Sequence, residues 1–353
     1  MRYSFIVPVF NRPDEVGELL ESLTRQTLKD FEVIIVEDGS STPCKDVCDK
    51  YTANLDLHYY LKENSGPGQS RNYGAERAQG EWLIVLDSDV VLPEGYLAAV
   101  DDSLKAYPCD AWGGPDAAHE SFTPVQKAIS YSMTSFFTTG GIRGGSSTQR
   151  GGRRGALDKF YPRSFNMGIR HDVYQQLGGF SKMRFGEDID FSYRIVESGH
   201  KTALIPEAWV WHKRRTDLKK FFRQVYNSGI ARINLEKRHP GTLKLVHLLP
   251  TVFTVGVIAL ILVSAVGRAL MHYVDRDQFY WMCFAPWIPI ILYSIIIFID
   301  SSIKNKSLKV GLLSVPAAFT QLMGYGFGFI ESWWKRCILK KDEFTAFEKN
   351  FYK

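Results

Sequence analysis

At 353 residues and 45% hydrophobic content, the chain is long enough for more than one domain and a sizeable core. Its 43 Lys and Arg against 38 Asp and Glu leave a net charge of +5, too mild a balance to argue for nucleic acid as a partner. The five cysteines (Cys44, Cys48, Cys109, Cys283, Cys337) form no C-x-x-C pair and no regular framework, which argues against a structural zinc site and fits reduced thiols in a cytosolic compartment.

The first segment, "YSFIVPV" (Tyr3 to Val9), is β-branched and aromatic and predicts a strand; its apolar run is too short for a signal peptide. The first domain is therefore expected to stay on the cytosolic side. "NRP" turns the chain into a helix on which Val16, Leu19, Leu20 and Leu23 keep helical spacing. "FEVIIVEDGS" repeats the strand and ends in the turn signal Asp38-Gly39-Ser40. "LHYYL" reads as a third strand, "GQSRNYGAERAQG" as a helix closed by Gly80, and "EWLIVLD" as a fourth strand. Strands alternating with helices predict an α/β fold with a mainly parallel, doubly wound sheet. Ligands of such sheets sit beyond the carboxyl ends of the strands, so Asp38, Asp87 and Asp89 are expected to converge on one crevice.

After Val91 the pattern loosens. The Gly-, Ser- and Arg-rich stretch 138–159 fits a disordered surface loop or a mobile lid in which Arg143, Arg150, Arg153 and Arg154 meet phosphate. "SFNMGIRHDVYQQLGGF" predicts a strand and a short helix, and "FGEDIDFSYRIVESGH" a helix with acids at its N-terminus, closed at Gly199. Strands "TALIP" and "AWVWH" follow, then an amphipathic stretch from Leu218 to Leu235.

Asp87 and Asp89 would repel one another unless something cationic lay between them, and a divalent metal completed by a diphosphate does this. A solvated turn is the bland alternative, and D-x-D by itself is common. The neighbouring motifs narrow the choice. "FIVPVFNRP", "VIIVEDGS", "NSGPGQSRNYGAERAQGEWLIVLDSDV", "FNMGI" and "FGEDIDF" occur in the order and spacing of the inverting glycosyltransferases of family 2, which the chain resembles over residues 3 to 235.

That resemblance implies the GT-A fold, a nucleotide-binding α/β half joined to an acceptor-binding half. It also implies a nucleotide-sugar donor and a divalent cofactor, Mg2+ or Mn2+. Pro8 and Asn11 in the first motif match donor-side positions, and Asp38 matches the acid that contacts the nucleotide base. Asp89 matches a direct metal ligand, with Asp87 nearer the ribose but also a candidate ligand. Arg71 lies where the family approaches the donor; its alternative is a helix-face arginine paired with Glu81 or another acid. Asp188 matches the catalytic base and Glu187 its supporting neighbour, while capping of a helix from Ile189 to Ser198 is a compatible role. His212 matches a third metal ligand, or is structural beside Trp209 and Trp211. Processive relatives carry Q-x-x-R-W near the membrane; "FFRQVYNSGIARINL" has Gln224 without the Arg-Trp, which favours transfer of a single sugar.

Beyond Leu243 the composition changes. Leu248 to Val266 and Phe279 to Ile299 are uncharged and long enough to span a bilayer, and Val310 to Ile330 is uncharged but interrupted by Pro316 and several glycines. The third stretch fits a span by length, or a re-entrant or interfacial segment. Lys237, Arg238 and Lys244 before the first stretch, and Lys304, Lys306 and Lys309 after the second, favour a cytoplasmic N-terminal domain in a multi-pass inner or plasma membrane protein; the connection between the two stretches carries Asp275, Arg276 and Asp277. The expected organisation is a GT-A domain over 1–240, a membrane domain over 241–335 and a basic tail over 336–353. The acceptor is then expected at the membrane, as a lipid-linked saccharide or envelope polysaccharide. The competing reading is a non-catalytic nucleotide-sugar-binding scaffold, which would have no use for a base at Asp188.

Overall fold

The computed structural model describes residues 1–117, 122–140, 160–212, 217–269, 281 and 283–343. Arg143, Arg150, Arg153 and Arg154 of the expected lid, the Asp275–Asp277 connection and the end of the basic tail lie outside the described residues.

In chain order the first elements are β1 (Tyr3–Val9), α1 (Pro13–Thr24), β2 (Phe31–Asp38), α2 (Lys45–Asp49), β3 (Leu57–Lys62), α3 (Pro67–Ala75), β4 (Trp82–Leu86), β5 (Val90–Val91) and α4 (Tyr96–Ala106). Next come β6 (Ala111–Gly113), β7 (Asp116–Ala117), α5 (Pro124–Thr134), α6 (Phe136–Thr139), β8 (Asn166–Arg170), α7 (His171–Gln176), α8 (Glu187–Glu197), β9 (Thr202–Leu204) and β10 (Val210–His212). The chain continues with α9 (Leu218–Arg238), α10 (Leu249–Ala269), α11 (Ile288–Asn305) and α12 (Leu308–Trp333).

By packing, the described residues fall into two compact units: 1–117 with 160–212, and 122–140 with 217–343. The first unit is a seven-stranded sheet in the order β3-β2-β1-β4-β8-β6-β9. Strands β1 to β4 are parallel where they pair, β8 runs antiparallel to both β4 and β6, and β6 is parallel to β9. This is the mixed α/β sheet of the GT-A type. β2 is buried along its whole length and β4 likewise, as expected of central strands covered on both faces. One core layer holds Val16, Leu19, Leu20 and Leu23 of α1 against Phe5, Val33 and Ile84; the opposite layer packs Ile6, Leu83 and Val85 against Phe191 and Ile195 of α8.

Two sequence expectations for this unit change. The helix placed up to Gly80 stops at Ala75, and Gly80 instead lies against β1, where its N–H donates to Ser4 Oγ at 2.8 Å. A Cβ at Gly80 would meet that oxygen at 2.5 Å, so the glycine serves a close approach to the strand rather than a helix end. The stretch after Val91 contains α4, whose buried Tyr96, Leu97, Val100 and Leu104 keep helical spacing that the surrounding turns obscured.

A three-stranded sheet, β5-β10-β7, belongs to the same unit. β10 pairs antiparallel with β5, placing His212 opposite Val90, and parallel with β7. Asn166 at the start of β8 steadies the approach to β10: its side-chain amide donates to the Ala208 carbonyl at 2.7 Å, and its oxygen accepts from Tyr96 Oη at 2.6 Å.

The second unit gathers α5, α6 and α9 with α10, α11 and α12, so helices on both sides of β8 in sequence pack with the C-terminal ones. Among the described residues, three stretches are long and apolar enough to cross a membrane: Leu245–Ala269, Ala285–Asn305 and Leu308–Ile338. The second runs past Ile299 to include Asp300 and Lys304, because Asp300 is neutralised by Lys304 at 2.9 Å and hydrogen-bonded by Tyr131 Oη at 2.6 Å. The third packs closely on α9 through glycines of both helices; a Cβ at its Gly328 would meet the Tyr226 carbonyl of α9 at 2.0 Å, and one at Gly229 of α9 would meet its Tyr325 carbonyl at 2.2 Å.

Candidate active site

β4 carries five buried apolar residues and ends at Leu86, so Asp87 and Asp89 emerge together at its carboxyl end. The two residues of β5 then pair with β10 and bring His212 alongside. Ligand atoms of Asp87, Asp89 and His212 all lie within 4.8 Å of one another, and among the described residues these three form the group able to hold a metal ion. His212 Nε2 is 3.3 Å from Asp89 Oδ1, and the imidazole stacks on Phe165 with ring centroids 5.2 Å apart. Arg12, which follows Asn11 in the first motif, is ion-paired with the other oxygen of Asp89. Burial by itself would raise the Asp89 carboxyl, but His212 and Arg12 beside it hold it well below the usual carboxylate range. Asp89 is thus poised as an anion, the state a metal ligand requires.

Arg71 joins this group to a second one. It projects from α3, is almost wholly buried, and donates to Asp87 Oδ1 at 2.8 Å and to Glu187 Oε1 at 3.2 Å. Its partners are therefore Asp87 and Glu187, not Glu81. Its guanidinium also faces the Phe180 ring at 5.1 Å. Burial acts to lower the Arg71 pKa, yet Asp87, Glu187 and Asp188 together raise it, so it stays charged. Glu187 shows the opposite balance: burial first, then the neighbouring Asp188, push its carboxyl up to about 7 against the pull of Arg71.

α8 begins at Glu187, not Ile189, after Gly186 at φ +86°. Glu187 and Asp188 are thus first-turn residues rather than capping residues, placed where the helix dipole favours negative charge. Asp188 is partly exposed, and Arg163 Nη1 approaches its Oδ2 at 3.4 Å. Arg163 stood out by no sequence signal.

The remaining expected donor-side residues lie on the strand ends. Asp38, at the end of β2, is buried, and its carboxylate accepts from Lys62 Nζ and from the backbone N–H groups of Ser65 at 2.9 Å and Gly66 at 2.8 Å. It is not a member of the Asp87–Asp89–His212 group; it fixes the loop from which α3 presents Arg71. Asn11 adopts φ +54° just beyond β1, and its side-chain oxygen accepts from the Thr42 N–H at 2.9 Å and from Ser41 Oγ at 3.1 Å. Pro8 lies in β1, in register with Val36 of β2. Both hold the rim formed by the ends of β1 and β2.

Two carboxylates and an imidazole suit a borderline or hard divalent cation such as Mn2+ or Mg2+, and nothing in the set selects a soft metal. The arrangement combines such a cation site with a buried arginine and an adjacent acidic pair.

Residues 4–161 match the model of the family described as glycosyl transferase family 2, so the likeness anticipated from the five motifs is borne out. A pre-mycofactocin glycosyltransferase of Mycobacterium tuberculosis is 26% identical over 276 residues, covering 75% of this chain and 53% of that protein. TarS of Staphylococcus aureus, a poly(ribitol-phosphate) beta-N-acetylglucosaminyltransferase, is 39% identical over 93 residues, 25% of this chain and 16% of that one. The chain thus spans about half the length of the first of these relatives and less than a fifth of the second. Among solved structures, the mannosyltransferase PcManGT from Pyrobaculum calidifontis in complex with GDP-Man and Mn2+ shares the fold, with a TM-score of 0.55 at 14% identity over 95% of this chain and 88% of that one.

Proposed function

We propose that this chain, which resembles the family 2 glycosyltransferases and matches their family model over residues 4–161, transfers one sugar from a nucleotide-diphosphate donor to a membrane-associated acceptor with inversion at the anomeric carbon. The observation that carries the reading is the link Asp89–His212–Asp87–Arg71–Glu187, which ties a cation site to the acidic first turn of α8.

Asp87, Asp89 and His212 would hold the divalent cation, which when bound neutralises the charge that develops on the departing diphosphate. The Mn2+ bound by the mannosyltransferase of the same fold supports this assignment. Arg71 keeps Asp87 and Glu187 apart yet compensated, so that Asp87 is held in place for the donor. Asp38 orders the β3–α3 loop on the nucleotide side, and Pro8 and Asn11 shape the rim beside it. Asp188 takes the proton from the acceptor hydroxyl as that oxygen attacks the anomeric carbon from the face opposite the leaving group. Glu187, whose carboxyl titrates near neutrality, limits the negative charge packed beside the base. Arg163 orients the Asp188 carboxylate.

The three long apolar stretches support a multi-pass membrane protein, with the catalytic segment 1–240 on the cytoplasmic side, the membrane segment over 241–335 and a basic tail over 336–353. A lipid-linked saccharide or an envelope polysaccharide is the acceptor class that such anchoring serves. The test is a panel of UDP- and GDP-sugars, each with Mn2+ or Mg2+, scored first by thermal stabilisation of the purified protein and then by transfer of labelled sugar into lipid-extractable or polymer-bound product in membranes. Stabilisation by one donor that needs both metal and Asp89, together with product that needs Asp188, supports the reading. Metal-independent binding, or binding with no product in any membrane fraction, defeats it.

A further inference from the structure

α5 and α6 precede the long apolar helices by more than a hundred residues, yet they pack along them within the second unit. Ala128 of α5 lies against Val310 and Ala317 of α12, and Tyr131 lies against Ile297 of α11 and Ala318 of α12. Two hydrogen bonds fix the direction of the segment. Tyr131 Oη donates to Asp300 Oδ2 at 2.6 Å, near the charged end of α11, and Tyr293 Oη donates to the Phe137 carbonyl at 3.1 Å. Tyr293 and Asp300 stand two turns apart on α11, about 10 Å of rise. From Tyr131 to Phe137 the chain therefore runs from the charged end of α11 toward the apolar middle of that stretch.

The tip of the segment has the chemistry that depth demands. Residues 135–140, "SFFTTG", carry no charge. Their side-chain hydroxyls are hydrogen-bonded within the segment: Ser135 Oγ accepts from the Phe137 N–H at 3.3 Å, and Thr138 Oγ1 and Thr139 Oγ1 donate to the Ser135 carbonyl at 3.0 and 2.9 Å. The chain then turns at Gly140 (φ +60°), whose N–H donates to the Phe136 carbonyl at 2.9 Å. Non-helical backbone at membrane depth is tolerated where it is buried in protein, and at the break between the two helices Ser135 and Thr138 are both buried. What the tip leaves uncovered is aromatic: Phe136 is 71% exposed and Phe137 43% exposed. On α11, Leu292, Ile296 and Ile299 are also exposed, so the candidate span to which Tyr293 ties the tip likewise leaves apolar surface uncovered.

We propose that α5 and α6 form a membrane-dipping element whose tip residues, Phe136 and Phe137, are seated among lipid acyl chains. The proposal rests on reading α10, α11 and α12 as membrane helices. It adds a lipid-contacting element drawn from the part of the sequence that precedes β8, attached to the membrane helices by Tyr131 and Tyr293.

The test places a nitroxide at Phe136→Cys in the full chain, in a Cys337→Ser background because Cys337 is the exposed thiol among the described cysteines. The protein is reconstituted in bilayer nanodiscs of phosphatidylethanolamine and phosphatidylglycerol, and collision rates with oxygen and with a water-soluble nickel chelate are compared. Leu262→Cys on the exposed face of α10 gives the lipid reference, and Ala53→Cys on the exposed α2–β3 connection gives the aqueous one. The expected result is an oxygen-to-nickel ratio at Phe136 that matches Leu262, repeated with Phe137→Cys. A ratio at both tip positions matching Ala53 overturns the proposal while leaving the spans intact. Exclusion of both reagents, which marks a protein contact, also overturns it. Should Leu262 itself report water, the reading of the spans fails and the proposal fails with it.

Discussion

Arg12 is ion-paired with Asp89, the carboxylate whose other oxygen faces His212. The arginine therefore competes for the charge that a divalent cation needs. Replacing it by Gln is expected to tighten Mn2+ binding without nucleotide by about threefold to tenfold, the scale of one partly exposed charge pair. Asp89→Ala is expected to abolish that binding. Counting free Mn2+ by electron paramagnetic resonance during titration measures both; weaker binding in Arg12→Gln would instead mean that Arg12 supports the site.

Asp188 is partly exposed in the first turn of α8, with Arg163 at 3.4 Å. As the base, it acts on the acceptor and not on the donor. Asp188→Asn is expected to lower transfer by about 10²- to 10⁴-fold while donor affinity, measured by calorimetry, stays near that of the parent. A parallel loss of donor affinity would move Asp188 to the donor side and leave the base unassigned.

The raised carboxyl of Glu187 predicts a pH dependence of stability. Its folded-state pKa, about 7, lies above the ordinary 4.5, so the native state holds more protons than the unfolded state between those values. Stability should therefore fall as pH rises through that window. Glu187→Gln removes this term. In chelator, its Tm relative to the parent is expected to be higher at pH 8 than at pH 5, the change in offset corresponding to no more than about 3 kcal/mol. An offset that does not vary with pH would show that Glu187 is not the group responsible.

Arg71 is buried between two acids, so its loss leaves both carboxylates without their cation. Arg71→Ala is expected to destabilise the first unit by about 3–5 kcal/mol, read as a shift of the denaturation midpoint at unchanged m-value. Arg71→Met, which keeps volume without charge, should recover little of it. If Met restores the midpoint, the packing against Phe180 matters more than the ion pairs.

Gly168 in β8 lies under Trp112, and a Cβ there would fall 2.1 Å from the indole. Trp112 is fully buried in the core, beside Tyr96. Gly168→Ala is expected to cost at least about 1–3 kcal/mol through overpacking and to shift the near-ultraviolet circular dichroism of the buried indole. A variant with unchanged midpoint and spectrum would show that the two strands can part without loss.

The alternation of β-branched runs with helical spacing was enough to anticipate β1 to β4, α1 and α8, because burial between helices leaves a pattern that each segment carries in its own residues. The same holds for the three apolar stretches, where the length of uncharged sequence is the signal. Local sequence also placed Asp87 and Asp89 at a strand end, since five apolar residues before them define the strand. It could not decide what faces them. His212 reaches Asp89 only because β10 pairs with β5, a contact between short strands far apart in the chain and held through Asn166 and Ala208. Arg12, Arg71 and Arg163 find their acids in the same way, and the partner of a charged side chain is set by which elements fold together rather than by its neighbours in sequence. Residues 122–140 make the same point for the second unit: their burial against α11 and α12 has no local signature, because the surfaces they cover lie at the far end of the chain.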